Sequence, residues 1–155
     1  MNSKERSRKR IHPFTGSSCR KVNSRAVNNE RNKCGTAHRT PYSRCEKEVI
    51  YSIPLSCGKC YIGQTGRCIN DRTREHAASV KALTAAGHLP AHCRVCQCTP
   101  DFHHINIVAR HRTQLGREIL EAMAIDAKKD ECVSAASIAL YPKEKSYLEK
   151  TKPED

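Results

Sequence analysis

The sequence predicts a fold of the α/β class, of the α+β kind, with one short sheet and helices packed on it. Two β-rich runs lie close together at residues 49–65, a third lies at 103–110, and helical periods occupy 69–83 and 115–125. A chain of 155 residues has the length of one ordinary domain. We therefore expect one folded unit with flanking tails.

The first two strands are predicted to form a β-hairpin. The run VIYSIPL is β-branched and aromatic, CYIGQT is similar, and SCGK between them is the turn. Pro54 stands where the first strand ends, which suits a residue that cannot donate to a ladder. Gly58 supplies permissive backbone for the turn. Tyr51 and Tyr61 then lie on neighbouring strands.

Two helices and a third strand follow. The first helix, Ile69 to Leu83, has its apolar residues roughly on one face, with Asn70 or Asp71 able to cap it. The run HHINIVAR at 103–110 alternates and predicts the third strand. A second helix, which should pack on the sheet, is indicated by apolar residues at helical spacing: Leu115, Ile119, Leu120, Met123 and Ile125.

Charge divides the chain into an arm and a body. The whole chain has a net charge of +12, and residues 1–47 hold 13 Lys/Arg against 3 Asp/Glu, while the remainder holds 15 against 13. We expect a basic, disordered arm at 1–44, the folded domain at 45–140 and a charged, frayed tail at 141–155. A basic arm favours nucleic acid as the partner, although an anionic membrane surface or simple solvation would also explain it.

The sequence also limits the location of the protein. No stretch approaches the roughly 18 consecutive apolar residues of a membrane helix, and the N-terminus lacks the apolar core of a secretory signal. We expect an intracellular protein with no membrane partner and no small-molecule substrate. The basic cluster SRKR favours the nucleus. The sequence gives no indication of oligomeric state.

Five polar residues occur in an order that suits phosphodiester chemistry. Tyr51 and Tyr61 lie on the hairpin, Arg72 and His76 are four apart and share a helix face, and Glu121 lies on the later helix. If both helices cover one side of the sheet, these groups converge and can activate water, offset phosphoryl charge and hold a metal. Singly, each could instead be a cross-strand or surface residue.

Short motifs resemble a known nuclease superfamily. Val49-Ile50-Tyr51, Tyr61-Ile62-Gly63 with QTGR, then Arg72, His76 and Leu120-Glu121-Ala122 resemble GIY-YIG nucleases. The block IPLSCGKCYIGQTGRCINDRTREH is similar to the C-terminal endonuclease domain of Penelope-like retrotransposon polyproteins. The likeness covers about residues 45–140. It implies a central three-stranded antiparallel sheet flanked by helices and a Mg²⁺-assisted nick in DNA that prepares a target site for retrotransposition.

The resemblance implies roles for these residues. Tyr51 and Tyr61 would orient or deprotonate the attacking water, Arg72 would hold the phosphate, His76 would assist proton transfer, and Glu121 would bind Mg²⁺. How the proton-transfer roles divide among the tyrosines and the histidine stays open.

The sequence departs from the superfamily pattern in places. Val49 stands where the family motif has its first glycine, which a strand accommodates easily. Arg67 and Arg74 are alternatives for the phosphate-binding arginine, and Glu118 is an alternative carboxylate. A zinc-containing nucleic-acid-binding module without catalysis is the alternative function. A secreted disulfide protein is a further alternative.

Ten cysteines in an intracellular chain indicate metal ligation. Cys57-x2-Cys60 makes a knuckle in the hairpin turn that places two thiolates on one tetrahedral ion. On spacing alone, two pairs could complete this site equally well: His88 with His92, or Cys93 with Cys96. The resemblance favours His88 and His92, so we expect a structural Zn²⁺ held by two thiolates and two imidazoles.

The other cysteines give weaker signals. A second site is suggested by Cys34-x3-His38-x6-Cys45, but it has three ligands and irregular spacing. We expect the remaining cysteines of the body to be small thiols and not ligands: Cys68, Cys98 and Cys132.

Overall fold

The computed structural model describes residues 34–82 and 87–151. Most of the predicted arm, residues 1–33, and the predicted end of the first helix at Leu83 lie outside the described residues. Within these two ranges, none of the helices combines the length and apolar character needed to cross a membrane.

The described part of the chain is α+β, with the predicted three-stranded antiparallel sheet and four helices, of which α2 and α4 were not expected. Its elements are β1 (Val49–Pro54), β2 (Cys60–Thr65), α1 (Ile69–Lys81), α2 (His88–Cys96), β3 (Asn106–Arg110), α3 (Gln114–Lys128) and α4 (Pro142–Lys150), with 3-10 turns at Phe102–His104 and Lys129–Glu131. The strand order is β2-β1-β3, so β1 is central. The hairpin register places Tyr51 opposite Gly63.

One face of the sheet forms the main core with α1 and α2. Alternate β1 residues, among them Tyr51 and Ile53, pack in one cluster with Ile69 of α1 and Leu89 of α2. All four side chains are at most 1 % exposed. Because successive strand residues point to opposite faces, the β1 residues between them face away from α1 and α2.

The opposite face of the sheet packs against α3. Ser52 and Ile62, which are cross-strand partners, line a groove together with Leu120 and Met123 of α3. The expectation that both predicted helices cover one side of the sheet is therefore wrong, because α1 and α3 lie on opposite faces. Glu121 must approach the tyrosine-bearing face from the far side of the sheet.

Three parts of the chain differ from the sequence prediction. Residues 34–44 have fixed contacts, since Tyr42 N and Ser43 N both donate to Asn70 Oδ1, at 2.8 and 3.1 Å. Helix α2 was not predicted, because Pro90 and its Cys and His residues obscure a helical period. The supposedly frayed tail contains α4, whose start is capped by Glu144 Oε2 accepting from Tyr141 N at 2.8 Å.

The third strand is shorter than predicted. His103 and His104 lie in a 3-10 turn that Asp101 stabilises by accepting from the His103 amide at 3.2 Å. Strand β3 begins only at Asn106 and pairs with β1 through a bulge near Tyr51.

Candidate active site and metal clusters

Four of the five predicted catalytic side chains meet at a cleft between the hairpin and α1. Tyr51 Oη lies 2.8 Å from His76 Nε2. The ring of Tyr61 meets the same imidazole edge-on, with centroids 5.0 Å apart. Tyr61, Arg72 and His76 line a cavity of about 110 Å³, which His88 also borders. These four residues, which the sequence motifs singled out, are therefore close together in the folded chain.

Gly63 allows Tyr51 to reach the imidazole. A Cβ atom built on Gly63 would lie 2.8 Å from Tyr51 Oη and 3.0 Å from a ring carbon of Tyr61. Such distances are shorter than any ordinary van der Waals contact, so only glycine leaves both phenol rings in place. Tyr51 is fully buried at this position, with 0 % of its surface exposed, whereas Tyr61 is half-buried on the wall of the cleft.

Helix α1 supplies the arginine. Arg72 Nη1 donates to Glu75 Oε2 at 3.0 Å, and Arg67 lies 2.7 Å from the other oxygen of the same carboxylate. Arg74 is directed elsewhere and pairs with Asp71 at 3.2 Å. Of the three candidate arginines, only Arg72 lines the cleft. Arg67 lies next to it because both bind the Glu75 carboxylate, and Arg74 is not part of the cleft.

Burial keeps the central groups neutral. It raises the pKa of Tyr51 and, less strongly, that of Tyr61. The positive charge of Arg72 lowers both pKa values in part, and the negative charge of Glu121 raises both further. Burial, followed by the positive charge of Arg72, lowers the pKa of His76 to about 4. At neutral pH the cleft therefore holds two phenols and an uncharged imidazole beside one guanidinium.

Glu121 comes from α3, on the other side of the sheet. It is 6 % exposed, and its Oε2 accepts a hydrogen bond from Ser137 Oγ at 2.6 Å. Its charge influences the pKa of both phenols, so it lies within electrostatic reach of the cleft. Glu118, one turn earlier, instead accepts from the Gln114 amide at 2.8 Å. The geometry therefore favours Glu121 over Glu118.

A group of three thiols and one imidazole, the hairpin cluster, lies at the tip of the β1–β2 hairpin. Its members are Cys57, His92, Cys96 and Cys98, whose ligand atoms all lie within 4.8 Å of one another. Cys57 Sγ is 3.6 Å from His92 Nε2. A tetrahedral zinc ion places its ligand atoms roughly 3.5–3.8 Å apart, so the cluster could bind a metal such as zinc.

The backbone explains how these four residues meet. His92 and Cys96 are four apart on α2 and share a face. Gln97 then adopts the left-handed conformation, with φ of 61°, and turns Cys98 back toward the same point. Ser56 N donates to Thr99 O at 2.9 Å, which holds the hairpin tip beside this turn.

The hairpin cluster brings together only half of the four predicted zinc ligands. Cys57, His92 and the alternative ligand Cys96 belong to the hairpin cluster, but three others do not: Cys60, His88 and Cys93. Cys60 is the first residue of β2, where the pleat directs it toward Cys132, His88 borders the cleft, and Cys93 is buried in the core. Cys98, expected to be a plain thiol, joins the cluster. No spacing rule links it to Cys57, which is 41 positions earlier.

A second group of possible metal ligands lies at the start of α1. Cys34, His38 and Cys45, which gave a weak signal in the sequence, meet Cys68 there. Cys68 was expected to be a plain thiol, and its position beside the other three corrects that expectation.

No family model, curated protein or solved structure matches this chain. The resemblance to GIY-YIG nucleases is therefore a hypothesis from the motifs alone.

Proposed function

We propose that this chain is a metal-dependent endonuclease domain of the GIY-YIG type that nicks DNA for a Penelope-like retroelement. The observation that supports this most strongly is the meeting of Tyr51, Tyr61, Arg72 and His76 at one cleft. These groups come from three different elements, so their approach follows from the fold and not from closeness in the sequence. Together they match the requirements of phosphodiester hydrolysis.

The two phenols would act as a proton relay. Burial raises the pKa of both, so neither is a standing base, and only Tyr61 is open to a water molecule in the cleft. Tyr61 would orient the attacking water and pass one proton to Tyr51 as it takes one from the water. Tyr51 would pass its own proton to His76 Nε2. The net transfer is from water to the neutral imidazole, and the lowered pKa of His76 means that it would hold the proton only briefly before passing it on.

Arg72 would bind the scissile phosphate. Its guanidinium is half-buried and faces the cleft, and its present partner Glu75 is exposed, so a DNA phosphate can compete for it. Guanidinium groups match phosphate oxygens in geometry and charge. Arg72 would hold the substrate and offset the charge that develops on it.

Glu121 would bind a catalytic Mg²⁺. Mg²⁺ in nucleases is held by one or two carboxylates together with substrate phosphate oxygens, and a single buried glutamate near the cleft fits that pattern. When bound, the ion supplies charge neutralisation at the phosphoryl group. Ser137 fixes the carboxylate by its hydrogen bond.

The hairpin cluster would hold a structural Zn²⁺. Three thiolates and one imidazole form a common closed zinc site. His92 lowers the pKa of the Cys57 thiol to about 6, with a further contribution from the Lys59 amide, so this ligand is already ionised at neutral pH. The ion would tie the hairpin that bears both tyrosines to α2, which borders the cleft.

A plasmid-nicking assay tests the proposal. Purified protein with Mg²⁺ should convert supercoiled plasmid to nicked circles. Arg72→Ala and Glu121→Gln should each lower the rate about 100-fold or more, since each removes charge stabilisation of the transition state. Matched controls are Glu118→Gln, one helical turn from Glu121, and Arg94→Ala on exposed α2 surface, which should nick as wild type does. Equal nicking by all five proteins would indicate a contaminating nuclease.

The same assay decides between the two functions. If the folded, zinc-loaded protein binds DNA but produces no nicked circles, the chain is a zinc-containing nucleic-acid-binding module without catalysis.

A further inference from the structure

The first turn of α1 is covered by a segment that we call the strap, residues 34–47. The strap supplies Cys34, His38 and Cys45, and the residue before α1 supplies Cys68. All four ligand atoms lie within 4.8 Å of one another. His38 Nε2 is 3.1 Å from Cys34 Sγ and 3.3 Å from Cys68 Sγ, so one ring nitrogen faces two sulphur atoms.

Two of these four residues are almost completely shielded from solvent, and the other two are partly shielded. Cys68 is 2 % exposed, the His38 side chain is 3 % exposed, and Cys34 and Cys45 are half-buried. An imidazole and three thiols that avoid water and turn toward one point have little to gain from one another without a cation, because thiols are weak hydrogen-bond partners. Their number and type satisfy tetrahedral zinc.

Other contacts hold the strap in place independently of these ligands. The fully buried Asn70 accepts from Tyr42 N and Ser43 N, at 2.8 and 3.1 Å, and donates to Ser43 O at 2.9 Å. Ile69 N donates to Glu46 O at 2.8 Å. The part of the strap around Cys45 is therefore held against α1 by ordinary backbone and side-chain hydrogen bonds that need no ion.

The far side of the imidazole faces a carboxylate. His38 Nδ1 lies 3.7 Å from Asp71 Oδ1, and Arg74 contacts both groups. Metal-binding histidines commonly turn their second nitrogen to a carboxylate, which fixes the ring and its tautomer. At 3.7 Å, Asp71 acts on His38 through its charge and not through a direct hydrogen bond.

We propose that Cys34, His38, Cys45 and Cys68 bind a second zinc ion, separate from the hairpin cluster, that locks the strap onto the start of α1. Arg72 and His76 are on the first two turns of that helix. The second ion would therefore hold the helix that faces the cleft, as the first holds the hairpin. This site does not depend on the chain being a nuclease.

Metal content of the full chain tests this site. Elemental analysis of protein purified under reducing conditions should give about two zinc ions per chain. Cys45→Ser should lower this to about one, and so should Cys96→Ser, which alters the hairpin cluster as the matched control. The double variant should hold almost none. A wild-type content of one ion that Cys45→Ser leaves unchanged and Cys96→Ser removes would overturn the proposal.

A milder variant guards against loss of folding. Asp71→Asn keeps all four ligands and removes the negative charge behind His38, which also pairs with Arg74. We expect this protein to keep two ions but to release one of them to a chelator at least about tenfold faster or at about tenfold lower chelator concentration. If neither release rate nor chelator dependence changes for Asp71→Asn, and Cys45→Ser also keeps two ions, the strap does not bind metal.

Discussion

The packing of the cleft requires that residue 63 be glycine, which has no side chain. Replacing it with alanine would place a methyl group 2.8 Å from the Tyr51 hydroxyl, in a region with no free space. We expect Gly63→Ala to lower the free energy of unfolding by roughly 1–3 kcal/mol, the usual cost of overpacking, and to displace Tyr51 from His76. Urea denaturation of the zinc-loaded protein measures the loss.

Gly35→Ala is the matched control for that substitution. No atom lies within 4 Å of the Cβ position there, so its stability should stay within about 0.5 kcal/mol of wild type. Equal stability of both variants would show that Tyr51 can move aside at no cost.

His76 makes the stability of the protein depend on pH. Its pKa is lowered from 6.5 to about 4 in the folded state, chiefly by burial. The unfolded chain therefore binds this proton at a higher pH than the folded one, so the stabilisation is complete above about pH 6.5 and is lost as pH falls toward 4. The shift corresponds to on the order of 3 kcal/mol.

The comparison of wild type with His76→Gln isolates this effect. Acid also protonates the cysteine ligands, but it does so in both proteins. We expect the difference in unfolding free energy between them to shrink as the pH is lowered from 6.5 to 4. A constant difference over that interval would mean that His76 titrates normally in the folded protein.

Arg117 joins two elements of the fold, the end of β2 and the turn before α3. It is buried, and its guanidinium donates to Gln64 Oε1 at 3.0 Å, His111 O at 3.1 Å and Arg112 O at 2.8 Å. We expect Arg117→Ala to cost roughly 2–4 kcal/mol of stability, because it leaves buried acceptors without donors.

Two further variants separate the causes of that loss. Arg117→Met keeps the aliphatic stem but not the hydrogen bonds, and should lose nearly as much stability as Arg117→Ala. Arg112→Ala, at an exposed side chain in the same turn, should remain within about 0.5 kcal/mol of wild type. Thermal unfolding monitored by circular dichroism measures all three. A stable Arg117→Met would show that packing of the stem, and not its hydrogen bonds, is what matters.

The elements that the sequence predicts well are those with a clear local period. The hairpin, α1 and α3 all appear where β-branched runs or helical spacing indicated them. Helix α2 was missed because Pro90 lies in its first turn, a position that tolerates proline, and its ligand residues interrupt the apolar pattern. The strap was missed because its order depends on Asn70, some 27 positions away.

The same reasoning explains the outcome at the sites. Arg72 and His76 could be paired from the sequence, since helical spacing alone places them on one face. The metal ligands could not be grouped, because spacing finds partners within one segment but cannot join separate segments. Cys68 meets His38, and Cys98 meets Cys57, only through tertiary contacts.

Positive charge is distributed unevenly along the chain. Residues 1–33 hold 10 Lys/Arg against 2 Asp/Glu. The strap begins directly after them with Cys34, one of its possible metal ligands. Phosphate contacts from such a segment release counterions, so they steepen the salt dependence of DNA binding by about 0.9 per phosphate neutralised. Sequence-independent affinity is expected to come mainly from this segment.

Deletion of residues 2–33 tests that expectation. The shortened protein should bind a random duplex more weakly, and the slope of log K against log salt should become shallower by several units. A full-length variant with the Lys and Arg of residues 2–33 changed to Gln is the control for chain length and should behave like the deletion. An unchanged slope in both would place the phosphate contacts on the folded body instead.

Helix α2 spans only nine residues, and His88, His92 and Cys96 recur along it at intervals of four. One end of this stripe borders the cleft and the other belongs to the hairpin cluster. Four residues of α-helix span about 6 Å along the axis, so His88 and His92 lie close together on one short helix. A displacement of one should therefore displace the other. On the proposed function, removal of zinc from the hairpin cluster by a chelator should therefore lower the rate of plasmid nicking before it unfolds the protein.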